Sequence, residues 1–326
     1  MAEEAVSPDA PVEVKPEDPP RKIAVLGEIP FSGRALTRNL LSQGYSVQVL
    51  CPDSAVEAAL ADLRANDTKM ATLETVRGSL ESAETVNAML KNVYGAVFLS
   101  PITMAGRIYR PESHLEDVRR VTESAEKNAI RKLVYHSALG AHPKSSSRAL
   151  REAAEAEERM HASRFQDFRV RTGPLMGSGD GFLSEIINTM RGASPIMSIL
   201  GYGSTVVQPL HVDDMARCMT RIFNDSEEEL APGIYNLAGP EITTILDLVD
   251  LAGARLNRVK LRFHAPLFAL QLAASSVKAG DAGFKERIGL LFDTFFTEQN
   301  DALKLIGMTQ KLTTAQQAQD EILNAA

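Results

Sequence analysis

From Arg21 onward, short β-branched runs alternate with stretches of helical periodicity, and few architectures accept that order. Strand patterns fall at Lys22–Leu26, Ser46–Cys51, Thr75–Arg77, Ala96–Ser100, Lys132–His136, Phe168–Arg171 and Tyr235–Leu237. Helical patterns cover Gly33–Gln43, Ala83–Lys91, Ser113–Asn128 and Arg148–Ser163. Repeated βαβ units predict an α/β fold with a doubly wound parallel sheet. Strands covered on both faces read as unbroken apolar runs, as Ile23–Leu26 and Ala96–Leu99 do.

The ends of the chain read differently. Residues 1–20 carry Pro8, Pro11, Pro16, Pro19 and Pro20 among six acidic residues, a composition that cannot bury enough surface to fold, so a disordered acidic tail is expected. It has neither the apolar stretch of a secretory signal nor the Arg-rich, acid-poor character of a transit peptide, which makes the cytoplasm the default expectation. Residues 21–240 read as the main domain, with lobe insertions from about 178–206 where Gly179, Gly181, Gly201 and Gly203 break the pattern. Residues 241–326 read as a smaller C-terminal helical lobe, which would close over the carboxyl ends of the strands, where such sheets bind ligands.

Composition excludes several functions. A formal charge of −7 lacks the clustered Lys and Arg that grip a phosphate backbone, so nucleic acid is not an expected partner. No run of about 18 apolar residues suggests a membrane span. Cys51 and Cys218 fall within a strand and a helix and form no disulfide framework. His211-Val212-Asp213-Asp214 has one His and adjacent carboxylates, a poor metal-ligand spacing, so no metal is expected and Asp213 or Asp214 reads as a helix cap. Glu152, Glu155, Glu157 and Glu158 read as a solvated helix face. Leu261–Val277 is apolar enough to meet a partner or a membrane surface, although its sparse basic flanks favour a helix covering the core.

The junction of the first strand and first helix is Gly27-Glu28-Ile29-Pro30-Phe31-Ser32-Gly33. A glycine-rich turn there lets backbone amides and a helix N-terminus receive a pyrophosphate. Gly27 and Gly33 meet that requirement. Pro30, at the middle position, has no N–H and a fixed φ, so the site is damaged or remodelled. At the end of the second strand, Asp53 is placed either to hold the ribose hydroxyls of NAD or to cap a helix, and the absence of a nearby Arg disfavours NADP.

Together, Arg21–Asp53, Arg77-Gly78-Ser79-Leu80, Leu133-Val134-Tyr135-His136-Ser137-Ala138-Leu139-Gly140-Ala141 and Gln208-Pro209-Leu210-His211-Val212-Asp213-Asp214 resemble the atypical short-chain dehydrogenases, the NmrA-like group with a Rossmann domain. Lys144-Ser145-Ser146-Ser147-Arg148 and Arg262-Phe263-His264-Ala265-Pro266-Leu267-Phe268 resemble, within that group, the nucleotide-binding accessory subunit of respiratory complex I and its bacterial relatives. The resemblance implies an NAD or NADP site formed by Gly27, Ile29, Pro30, Phe31, Gly33, Asp53, Ser100 and Ser137. It also implies a protein partner met through the C-terminal lobe, at the periphery of a membrane complex.

The departures carry as much information. Glu28, Ile29, Pro30 and Ser32 replace the family's Ala, Thr, Gly and Val, and Ser79 replaces an Asp that holds adenine in the family. Superfamily enzymes place Tyr and Lys four apart on the helix after the fifth strand, the Lys lowering the phenol pKa so that Tyr can pass a proton. Registration with the family puts Ala149 and Ala153 there. Ser137 keeps the family serine position, and without a Tyr partner its hydroxyl is expected to bond the backbone. His136 points to the opposite sheet face from Ser137, and His142 and Lys144 sit on a loop where solvation is the plain reading. The sequence therefore favours a non-catalytic nucleotide-binding, regulatory or assembly protein. The alternatives are an atypical NAD(P)-dependent oxidoreductase or isomerase with other acid–base groups, and an accessory subunit of respiratory complex I.

Overall fold

The computed structural model describes residues 21–66, 71–100, 113–161, 164–200, 202–225, 228–266, 290 and 293–325. Seven strands form one parallel sheet: β1 (Lys22–Gly27), β2 (Ser46–Cys51), β3 (Leu73–Arg77), β4 (Gly95–Leu99), β5 (Lys132–Ala138), β6 (Gln166–Thr172) and β7 (Gly233–Leu237). Their spatial order is β3-β2-β1-β4-β5-β6-β7. The order reverses at β1, so the crevice beyond the carboxyl ends of β1 and β4 is the topological switch point where this architecture places its ligand. Each strand predicted from the sequence lies in this sheet, with no end shifted by more than two residues.

Alternate side chains of the strands enter two separate apolar layers, as a period of two requires. Ile23, Val25, Val47, Val49, Val97, Leu99, Val134 and Val170 pack against α1 (Arg34–Ser42) and α7 (Val212–Asn224). Ala24, Leu26, Leu50, Ala96, Phe98, Leu133 and Tyr135 face the other way, towards α3 (Ala83–Leu90), α4 (His114–Lys127) and the Ala156–Met160 end of α5 (Arg148–His161).

A third apolar cluster lies outside the sheet. It joins Ala149, Leu150 and Ala153 of α5 to Leu183, Ile187 and Met190 of α6 (Leu183–Arg191), Leu248 and Ala252 of α8 (Ile245–Leu256), and Ala318 and Ile322 of the last helix, Ala315–Ala325. Gln208 ties this region to the sheet: its side-chain amide donates to Gly239 O at 2.8 Å and its carbonyl accepts from Thr297 N at 3.1 Å.

Two sequence expectations need correction here. Leu261–Ala265 is a strand, paired in parallel with Ile196–Leu200, rather than part of a helix, and Leu261 and Phe263 are exposed instead of covering a core. Residues 267–277 of that apolar stretch, and the tail at 1–20, lie outside the described residues. The helix after His211 is capped by His211 itself, whose Nδ1 accepts from Asp213 N; Asp213 pairs with Arg38, and the buried Asp214 pairs with Arg217 and accepts from Thr313 N at 2.7 Å.

Candidate functional site

The candidate site begins where β1 leaves the sheet. Gly27 has φ +100, and a Cβ there would fall 2.0 Å from Leu99 O, so only glycine lets β1 and β4 approach this closely. Glu28 N donates to that same carbonyl at 3.0 Å. Residues Ile29–Gly33 then form a wide π turn feeding into α1, with Gly33 N bonded to Glu28 O at 3.0 Å. Single π turns of this kind frequently mark functional positions in helices. A Cβ at Gly33 would lie 2.8 Å from Glu28 O, so the residue is needed for packing whatever the crevice holds.

Glu28 caps this turn with its own side chain. Its Oε1 accepts from Phe31 N at 3.2 Å and its Oε2 from Ser32 N at 2.8 Å, and the Ser32 hydroxyl also donates to Oε2. A carboxylate at a helix N-terminus satisfies orphan amides and complements the helix dipole. Here it rests on the amides that the fold offers to a pyrophosphate. Pro30 supplies no N–H to the turn, and Ile29 is buried beneath it.

The other candidate residues are engaged in different ways. Asp53 is the N-cap of the helix Ser54–Ala58, with its carboxylate accepting from Ala55 N and Val56 N at 2.9 Å each. Ser79 Oγ accepts from Glu81 N at 3.1 Å. Ser100 is buried and its hydroxyl bonds the phenol of Tyr135, which burial holds above its ordinary pKa. That phenol also lies 2.9 Å from His114 Nε2. These contacts bring Gly27, Ile29, Pro30, Phe31 and Gly33 together at the β1 turn and leave Asp53 on a separate cap.

The residues that the family resemblance singles out for proton chemistry are also packed in. Ala149 and Ala153 are buried in the third apolar cluster. Ser137 does not bond the backbone as expected: its hydroxyl donates to Glu157 Oε1 at 2.6 Å. Arg171 grips the same carboxylate with two contacts, Nε to Oε1 at 2.8 Å and Nη2 to Oε2 at 2.5 Å. Glu157 is 2% exposed and Glu152 8%, so these two overturn the solvated-face expectation, whereas Glu155 and Glu158 are exposed. A signal for Glu157 was present, because Leu150, Ala153 and Glu157 fall at helical spacing on one face of α5. His136 is buried with Nε2 at 2.8 Å from Thr172 Oγ1, and burial lowers its pKa to about 4. His142 and Lys144 are exposed on their loop. The Ser145–Ser147 stretch is held by Asp293, whose Oδ2 accepts from Ser145 Oγ at 3.0 Å and from Ser147 N at 3.2 Å.

Among the described residues no group of three or more His, Cys, Asp or Glu is placed to hold a metal ion, and no helix is long and apolar enough to cross a membrane.

This sheet order and crevice define a Rossmann-type α/β fold. The family model for NAD(P)H-binding domains matches residues 31–184, starting just beyond Glu28 and Pro30. In sequence the chain is similar to the mitochondrial NADH dehydrogenase [ubiquinone] 1 alpha subcomplex subunit 9, at 25% identity to the Mus musculus protein over 51% of this chain and 45% of that one. It is 27% identical to the Arabidopsis thaliana protein of the same name over 39% of this chain and 31% of the other. The chain thus spans less than half the length of these relatives. Solved structures with the same fold include an Escherichia coli NADPH-dependent quinone oxidoreductase complexed with NADPH, at 16% identity and TM-score 0.71 over 93% of this chain and 100% of that one. A Bifidobacterium longum UDP-glucose 4-epimerase in complex with NAD+ and UDP has TM-score 0.72 at 13% identity, over 93% of this chain and 97% of the other.

Proposed function

We propose that this protein is a non-catalytic member of the NAD(P)-binding Rossmann class, working as a regulatory or assembly partner. The observation that carries this reading is the pair Ala149 and Ala153, both buried in apolar packing, at the positions that registration of the sequence with the superfamily assigns to its proton-transfer Tyr and Lys. A methyl group can neither give nor take a proton. The nearest polar survivor, Ser137, spends its hydroxyl on the Glu157–Arg171 pair. A dehydrogenase of this class needs a group that exchanges a proton as hydride moves, and the alanines remove it. The family model and the NADPH- and NAD-bound neighbours support a nucleotide as the ligand for which the crevice evolved.

The test is turnover. Purified protein mixed with NADH or NADPH and quinone or carbonyl acceptors should oxidise the nucleotide no faster than a heat-denatured control. Turnover abolished by Ser137→Ala would reverse the reading in favour of an atypical oxidoreductase.

A second reading, an accessory subunit of respiratory complex I at the edge of a membrane assembly, is favoured by the similarity to alpha subcomplex subunit 9 in an animal and a plant. Affinity purification of the tagged full chain under mild detergent should then bring down respiratory subunits in stoichiometric amounts. Recovery of the chain alone would leave the regulatory reading without the complex.

A further inference from the structure

The crevice of a Rossmann fold offers a pyrophosphate the free amides of the turn between β1 and α1. In this chain the central amides of that turn are already spent. Phe31 N and Ser32 N donate to the Glu28 carboxylate, Gly33 N donates to the Glu28 carbonyl, and Pro30 has no N–H. The Glu28 amide goes to Leu99 O, and the Ser32 hydroxyl is turned onto Glu28 as well. A dinucleotide arriving here would meet like charge where the Phe31 and Ser32 amides would otherwise face its phosphates. The side chain needed for this is long and anionic, and it stands where the family keeps an alanine.

We infer that Glu28 is an internal surrogate for the pyrophosphate and fixes the specificity of the crevice against NAD(H) and NADP(H). The residues present do not fit a dinucleotide while the carboxylate stays on its amides. This rests on, and deepens, the reading of the protein as a non-catalytic Rossmann chain, because it removes the cofactor as well as the proton donor. Exclusion works at one residue. The rest of the β1 turn keeps the geometry that a phosphate requires: Gly27 in its left-handed conformation, Gly33 packed against the strand, and a helix continuing for nine residues beyond it.

The experiment is calorimetric titration of the full chain with NADH and with NADPH, comparing wild type, Glu28→Ala, Glu28→Gln and Glu28→Ala combined with Pro30→Gly. Wild type should show no saturation below millimolar ligand. Glu28→Ala should bind at least about ten-fold more tightly, equivalent to about 1.4 kcal/mol, because two amides are released and a negative charge is gone. Glu28→Gln should fall between, since its single amide oxygen can still accept from one of the two N–H groups while the charge that repels phosphate is gone.

Three outcomes overturn the inference. One is dinucleotide retained by wild type through purification or bound at micromolar concentration. Another is Glu28→Ala that is folded by circular dichroism yet binds no better than wild type. The third is a gain seen only once Pro30→Gly is added, which would assign exclusion to the proline. Should Glu28→Ala misfold, Glu28→Gln decides the matter, and no gain there sinks it. The two readings fail separately: wild-type binding without turnover refutes the surrogate alone, whereas turnover in Glu28→Ala upholds the surrogate and refutes the non-catalytic assignment.

Discussion

Glu157 shows how much one residue of this chain decides. Its carboxylate is almost fully buried and serves two partners, the Ser137 hydroxyl and the forked guanidinium of Arg171, which itself remains partly exposed. Removing one partner of a buried ion pair leaves the other charge without compensation, at a cost of about 3–5 kcal/mol. Glu157→Ala should therefore approach that loss in urea unfolding, somewhat reduced because water can reach Arg171. Ser137→Ala removes one hydrogen bond and should cost about 1–2 kcal/mol. Glu155→Ala, on the exposed face of the same helix, should stay within about 0.5 kcal/mol. Equal effects at Glu155 and Glu157 would mean that the pair contributes nothing to stability. At this scale the sequence was least legible. A glutamate count on α5 marks charge without direction, and only the spacing from Leu150 and Ala153 gives away Glu157. Glu28 is harder still: a carboxylate that reaches forward to amides three and four residues on looks, in sequence, like any acidic residue before a helix.

The elements of the central sheet were legible for a plain physical reason. Strands covered on both faces must be apolar throughout, and the glycine at the end of β1 marks where the chain has to turn against Leu99. The outer elements follow no such rule. Val206–Val207, Leu210–His211 and Thr243–Thr244 are two-residue strands, too short for any periodicity to register, and the strand Leu261–Ala265 reads as apolar helix because its exposed Leu261 and Phe263 mimic a buried pattern. What joins these elements is often a single side chain supplied from far along the sequence. Asp293 is one, holding Ser145 and Ser147 ahead of α5 from nearly 150 residues away. Asp293→Ala would remove the acceptor of the Ser145 hydroxyl and one of two acceptors of the buried Ser147 amide, which keeps Ser145 Oγ at 3.1 Å, at a cost of about 0.5–1.5 kcal/mol. In hydrogen exchange, residues 145–150 should lose protection while β1 and β4 keep theirs. Uniform loss across the sheet would instead show that this contact is part of the global fold rather than a local tie.

For the whole molecule, the buried histidines set the response to acid. His114 and His136 have their pKa lowered to about 4 by burial, from an ordinary value near 6.5. Both are therefore neutral in the folded state over a range in which the unfolded chain binds a proton. A histidine of this kind stabilises the fold in full above the unfolded value, and its contribution falls as pH drops from about 6.5 towards 4. Each shift corresponds to about 3 kcal/mol at pH 4. That is a large share of the roughly 5–15 kcal/mol that holds a typical domain. Asp117 acts in the opposite sense. Its pKa is raised to about 6, chiefly by desolvation with Arg120 pulling against it, so its contribution is lost as pH rises through the same window. The two histidines lie within or beside the central sheet and outweigh one half-buried carboxylate. Unfolding free energy measured in urea should thus decline steadily from pH 7 to pH 4. His136→Asn should flatten part of that slope, by removing the proton that the unfolded chain gains, while Asp117→Asn should steepen it. A stability curve level between pH 7 and pH 4 in the wild type would mean that His114 and His136 titrate alike in both states, and that burial at these two sites carries no acid sensitivity.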